Sequence, residues 1–147
     1  MSAPLISWFT FILLLVIPAQ SLKVPTREQF LSLEETCADI LGVSDDLRAQ
    51  IRQHRYPDTP ESHQFTYCTA VLFFDYKPAV GLNMDLMYAV FGQDEGRQQF
   101  GRAKKDCFER NGAYQEGLTR FESLYRMYRC FADRYASFFA SDEVKSK

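Results

Sequence analysis

Four cysteines stand at Cys37, Cys68, Cys107 and Cys130. The nearest two are 23 positions apart, whereas a structural metal site needs close ligand pairs such as CxxC or HxxxH. Metal ligation is therefore not expected. An even cysteine count fits two disulfides in an exported chain, and the sequence alone leaves their pairing open. The two histidines, His54 and His63, flank Tyr56-Pro57 and read as surface polar residues. No GxSxG, HExxH, P-loop or Rossmann glycine pattern is present. No catalytic residue and no cofactor is expected.

The remaining chemical potential is apolar. The chain has 13 Phe, 8 Tyr and 4 Met in 147 residues, and hydrophobic residues make up 46%. Any single ring can be ordinary core. Together they can also line a cavity, because small-molecule sites are mostly apolar with a few polar groups that orient the ligand. Methionine adapts to varied shapes, and tyrosine offers a phenol to one polar end. The formal net charge is −2, which disfavours the strongly basic face of a nucleic-acid binder. Lys104-Lys105, the longest basic run, reads as a solvated helix face.

The amino terminus reads as a secretory leader. Ile6 to Ala19 is apolar apart from Ser7 and Thr10, the length of a leader core and short for a membrane span. Pro18 breaks the run, and Ala19-Gln20-Ser21 places small residues around a cut after Ser21. Residues 1–21 are thus the expected leader and 22–147 one helical domain. An uncleaved anchor is the alternative. No second apolar run of spanning length follows, so the expected product is secreted.

The domain must position its rings with helices. Pro25 and Thr26 open the first, Thr26 with Gln29 fits a capping box, and Phe30, Leu33, Cys37, Ile40 and Leu41 share one face up to Gly42. Ser44 caps a short helix carrying Leu47 and Ile51, stopped at Tyr56-Pro57. Thr59-Pro60-Glu61 opens a third, which carries Cys68 and runs through Val71 to Phe74. Those four residues could also form a buried strand, but the capped segment is long enough for a helix. After a loop at Pro78 and Gly81, Asn83 caps a fourth helix that ends near Gly92. Asp94 is the expected cap of a fifth, ending at Asn111-Gly112. The last is expected to run unbroken from Gln115 to Phe139, and the tail from Ser141 is polar.

The cysteine spacing resembles that of the insect odorant-binding proteins, secreted six-helix domains with six cysteines. That family keeps three residues between its second and third cysteines and eight between its fifth and sixth. Cys37, Cys68, Cys107 and Cys130 match the first, third, fourth and sixth. The second and fifth would fall on Gln64 and Phe121. In the family those two bond to each other, so their joint loss removes one whole bridge and strands no partner. The pattern resembles the four-cysteine Minus-C branch, and the segment from Phe121 to Phe131 resembles the family's last helix.

The resemblance implies an all-α, six-helix fold around an apolar cavity, with bridges Cys37–Cys68 and Cys107–Cys130. Closing loops of 32 and 24 residues contributes about 3.5 kcal/mol each on a chain-entropy argument. It implies a carrier of odorants, pheromones or similar lipophilic molecules in sensory lymph. The alternative is a salivary or haemolymph scavenger of biogenic amines or lipids. A small apolar ligand is the expected partner, and the resemblance allows a chemosensory receptor and a second copy of the chain. The expected lining is Leu72, Phe73 and Phe74 of the third helix, Met84, Met87, Tyr88 and Phe91 of the fourth, and Leu124, Tyr128, Phe138 and Phe139 of the last. An amine pocket would need an inward acid, for which Asp75, Asp85, Glu122 and Asp133 are nearest. The tail after Phe139 is too short and polar to fill an apolar cavity, whereas Phe131 to Phe139 can wall or close it. Gln64 and Phe121 should lie within disulfide reach of each other.

Overall fold

The computed structural model describes residues 23–92 and 95–140. The expected leader, Asp94 and the polar tail lie outside these residues. Every regular element of the described residues is a helix, and an isolated bridge joins Lys77 to Gly81. Its helices are α1 (Arg27–Leu41), α2 (Asp45–Ile51), α3 (Pro60–Phe73), α4 (Met84–Phe91), α5 (Arg97–Arg110), α6 (Arg120–Tyr128) and α7 (Ala132–Ala140). A 3-10 turn at Arg129–Phe131 joins α6 to α7.

Side-chain caps explain most of the starts. Thr26 and Gln29 form the reciprocal capping box of α1, which Gly42 ends in the left-handed conformation at φ 59°. The hydroxyls of Ser44 and Thr59 and the carboxamide of Asn83 accept from the first turns of α2, α3 and α4. Val71, Leu72 and Phe73 are helical and Phe74 closes α3, so the strand alternative does not hold.

The expected cap of α5 and the expected last helix are corrected. Helix α5 is capped at Gly96, without a side-chain bond. The long last helix is shorter and broken. Residues 111–118 form turns, and the helix starts only after Thr119, whose capping box with Glu122 fixes the boundary. The break at Arg129–Phe131 lies where Cys130 is tied to Cys107, and where the Cys130 carbonyl accepts from Lys104 Nζ at 2.8 Å. The apolar stripe Leu124, Tyr128, Phe131, Tyr135 runs through this point without interruption. Sequence periodicity therefore gave no sign of a break that tertiary contacts impose. Lys104 is corrected too: it is half-buried, 5.4 Å from the Phe100 centroid and 4.8 Å from that of Phe131, while Lys105 is exposed.

Helix α3 lies at the centre, packed against α1 on one side and α6 on the other, while α4 packs on α5 and α7. Disulfides Cys37–Cys68 and Cys107–Cys130 pair as the resemblance implied, with Cα separations of 5.9 and 6.0 Å. Ile40 and Leu41 leave the buried face of α1 and are exposed at 69% and 38%. Their place in the buried pattern is taken by Glu34 and Ala38.

Candidate functional site

An apolar cavity of about 20 Å³ lies between α3, α4 and the α6–α7 element. Four expected residues wall it: Phe74, Met87, Leu124 and Tyr128. The rest of the wall comes from Thr66, Thr69 and Ala70 of α3, Leu82 of the preceding loop, and Phe131 and Tyr135. Of the segment Phe131 to Phe139, Phe131 and Tyr135 line the cavity. Tyr135 and Phe131 sit on the same helical stripe as Leu124 and Tyr128, so their spacing carried the signal. Leu82 lies in a loop and had none.

The other expected residues are placed elsewhere. Leu72, 51% exposed, lines an outer groove with α1, and Phe73 closes the floor of that groove while packing on Phe30 and Phe74 in the core. Met84 lines a surface cleft along the loop 75–83. Tyr88 donates its hydroxyl to the Glu95 carbonyl at 3.0 Å and packs on Phe100. Phe91 and Phe138 belong to the aromatic core behind Tyr135. Phe139 holds the end of α7. Its ring stacks on His54 with centroids 3.8 Å apart, and its carbonyl accepts from the Arg27 guanidinium.

Both histidines are more enclosed than expected. His54, at φ 54°, has its Nδ1 buried without a hydrogen-bond partner among the described residues. Burial and the nearby Arg27 hold its pKa below the ordinary value. His63 Nε2 lies 2.7 Å from Asp58, and its ring packs 4.4 Å from that of Tyr125.

The polar side of the cavity is phenolic. The hydroxyls of Thr66 and Thr69 are used by carbonyls of their own helix, each at 2.9 Å. The hydroxyls of Tyr128 and Tyr135 make no hydrogen bond among the described residues. Behind them stands Tyr56, with ring centroids 5.2 and 6.0 Å from those two. Its hydroxyl donates to Glu34, a carboxyl only 4% exposed. Burial pushes the Glu34 pKa up to about 7, against the lowering effect of the Tyr56 hydrogen bond. Burial, and next either Glu34 or a neighbouring tyrosine, pushes the phenols of Tyr56, Tyr128 and Tyr135 upward, so all three are neutral.

Glu34 is the acid that sequence reasoning missed. Asp75 and Asp85 are exposed and pair with Lys77 and Arg97 at 3.3 and 3.7 Å. Asp133 is exposed, and Glu122 caps α6. Glu34 had a readable position, one turn after Phe30 and three residues before Cys37 on the buried face of α1. Gln64 is exposed, and Phe121 packs on Tyr67, one turn further along α3, with centroids 5.0 Å apart. Among the described residues, no group of three or more His, Cys, Asp or Glu could hold a metal, and no helix is long and apolar enough to cross a membrane.

The sequence pattern of the PBP/GOBP family, the insect odorant-binding proteins, matches residues 19–134. The chain belongs to this family. Its four cysteines in two bridges fit the Minus-C type. No curated protein matches it by sequence. Among solved structures, the chain is similar to Anopheles gambiae odorant-binding protein 22a. One such structure gives a TM-score of 0.64 at 21% identity, covering 77% of this chain and 95% of that one. Another, with the odorant cyclohexanone bound, gives 0.63 at 20% identity over 76% and 95%. A third, described as open for ligand binding, gives 0.62 at 20% over 74% and 93%. At this identity the likeness establishes the shared odorant-binding-protein fold.

Proposed function

We propose that this chain is a secreted carrier of small, mostly apolar molecules, held between α3, α4 and the α6–α7 element, and that it works in sensory lymph. The observation behind this reading is an apolar cavity in an odorant-binding-protein fold, with two phenol hydroxyls at its wall that no described residue uses. Such hydroxyls suit the polar end of an otherwise apolar ligand. A cavity of about 20 Å³ has room for roughly one water, while a benzene-sized guest needs on the order of 150 Å³. Ligand binding therefore requires the wall to move. The α7 segment is suited to this, since it joins α6 through the 3-10 turn and contributes Tyr135 to the wall.

Ligands of roughly 10 to 20 heavy atoms should bind at micromolar strength, about −8 kcal/mol. The test is displacement of an apolar fluorescent reporter by a panel of volatiles and fatty acids. Met87→Leu keeps side-chain volume, so it should cost less than about 1.5 kcal/mol of stability while reordering the panel. A chain that binds no reporter would sink the carrier reading.

Glu34 supports a second reading, capture of biogenic amines, because it is a buried acid close to the cavity wall. Its position behind Tyr56, with one oxygen already engaged, favours the apolar carrier. Calorimetry with serotonin and histamine separates the two.

A further inference from the structure

Leu82 lines two spaces. One is the apolar cavity, and the other is an open cleft of about 400 Å³ whose walls include Asp75, Lys77, Val80 and Met84. We propose that the loop 75–83 is the port through which ligands reach the cavity, and that Leu82 is the gating side chain that sets the exchange rate and the width of ligand admitted. This rests on the carrier reading.

The loop is built as a flap. Lys77 and Gly81 exchange backbone hydrogen bonds, Lys77 N–H to the Gly81 carbonyl at 3.1 Å and Gly81 N–H to the Lys77 carbonyl at 2.7 Å. The turn between them is therefore one stiff unit. Its roots are fixed. Tyr76 is buried and donates its amide to the Ala70 carbonyl at 3.1 Å, while the Asn83 side chain caps α4. Left-handed backbone stands at Asp75, φ 49°, and at Gly81, φ 95°. Asp75 bears the cost of that conformation, which non-glycine residues rarely adopt. Leu82 lies between the stiff turn and the capped helix, and its amide donates no backbone hydrogen bond among the described residues. Rotating it out of the wall breaks apolar contacts only.

The chemistry of the mouth fits an apolar visitor. The charges on its rim are paired, Asp75 with Lys77 and Asp85 with Arg97. Val80, at 81% exposure, and Met84 offer an apolar path to Leu82. The rival groove between α1 and α3, lined by Leu33, Leu72 and Phe73, shares no wall residue with the cavity.

Stopped-flow mixing of the disulfide-bonded chain with the fluorescent reporter decides the matter. Leu82→Trp should slow association and dissociation together by about tenfold, because a gate acts on both rates. Leu82→Ala, which removes only a half-buried side chain, should speed both. Leu72→Trp in the rival groove should leave them unchanged. Unaltered rates in the Leu82 variants, or slowing by Leu72→Trp, would overturn the port while leaving equilibrium binding intact. A wild-type chain that binds no reporter overturns the carrier reading and the port together.

Discussion

The described residues form two hydrophobic clusters, and they are made of different materials. The smaller, between α1, α2 and α3, joins Cys37, Ala38, Val43, Leu47 and Ile51 to a single buried ring, Phe65. A disulfide crosses it. The larger is dominated by rings: Phe30, Phe73, Phe74, Phe91, Phe131 and Tyr135 meet one another at centroid separations of 4.3 to 6.1 Å. The cavity lies in this second cluster. Small aliphatic groups interlock and leave little void, which suits a scaffold. Rings are flat and stiff, meet edge to face and leave gaps, yet each turns on only two torsions. A ring-built cluster can therefore part around a guest while an aliphatic one holds the frame. Tyr56 touches both clusters, and with Glu34 it forms a polar seam between them.

The comparison is broken most directly at the scaffold. Replacing Cys37 and Cys68 together with alanine should cost about 3.5 kcal/mol, from freeing a 32-residue loop. Urea unfolding measures it. Ligand ranking in the folded fraction should survive, because neither cysteine walls the cavity. A lost ranking would mean that the two clusters do not act separately.

The seam predicts a smaller effect with a distinctive pH signature. Glu34 ionises near pH 4.5 when unfolded but at about 7 in the fold. The folded state therefore holds the proton more tightly. Stability from this group is greatest below pH 4.5, declines as pH rises to about 7, and is flat above. The span is about 3 kcal/mol. His54 has the opposite sign, since its lowered pKa makes the fold gain stability as pH rises toward 6.5. Subtracting the Glu34→Gln curve from wild type isolates Glu34, because His54 contributes to both. The amide still accepts from Tyr56, so the variant should match wild type at pH 4 and exceed it at pH 8. Parallel curves would show that the carboxyl is not held neutral.

Much of this division was legible in the sequence. Thr26, Ser44, Thr59 and Asn83 marked helix starts because a cap is a local hydrogen bond, and local chemistry is written in neighbouring residues. The bridges followed from family spacing. The cavity wall was half legible: Phe74, Met87, Leu124 and Tyr128 are expected singly, while Phe131 and Tyr135 enter only within the segment Phe131 to Phe139. What failed had tertiary causes. Leu72 and Phe73 differ from Phe74 only by rotation about α3, which packing decides. The break at Arg129–Phe131 depends on Cys107 and Lys104, both more than 20 positions away. Leu82 sits in a loop, where periodicity has nothing to say.

The smallest expected effect falls on the ring cluster and tests its role most sharply. Tyr135 is 5% exposed, and its hydroxyl makes no hydrogen bond among the described residues. In an ordinary core a hydroxyl without a partner contributes no hydrogen bond to stability. Tyr135→Phe keeps the ring and its packing on Phe30 and Phe91, so thermal stability should hold or rise. In a binding site the same hydroxyl meets a ligand acceptor. Its loss should weaken a ketone by about 1 kcal/mol, roughly fivefold, and leave the alkane of the same chain length unchanged. Reporter displacement with that pair of ligands, beside a melting curve, gives both numbers. Stability that falls while the two ligands weaken alike would make Tyr135 plain core. Stability that holds while only the ketone weakens would identify its hydroxyl as the cavity's polar anchor.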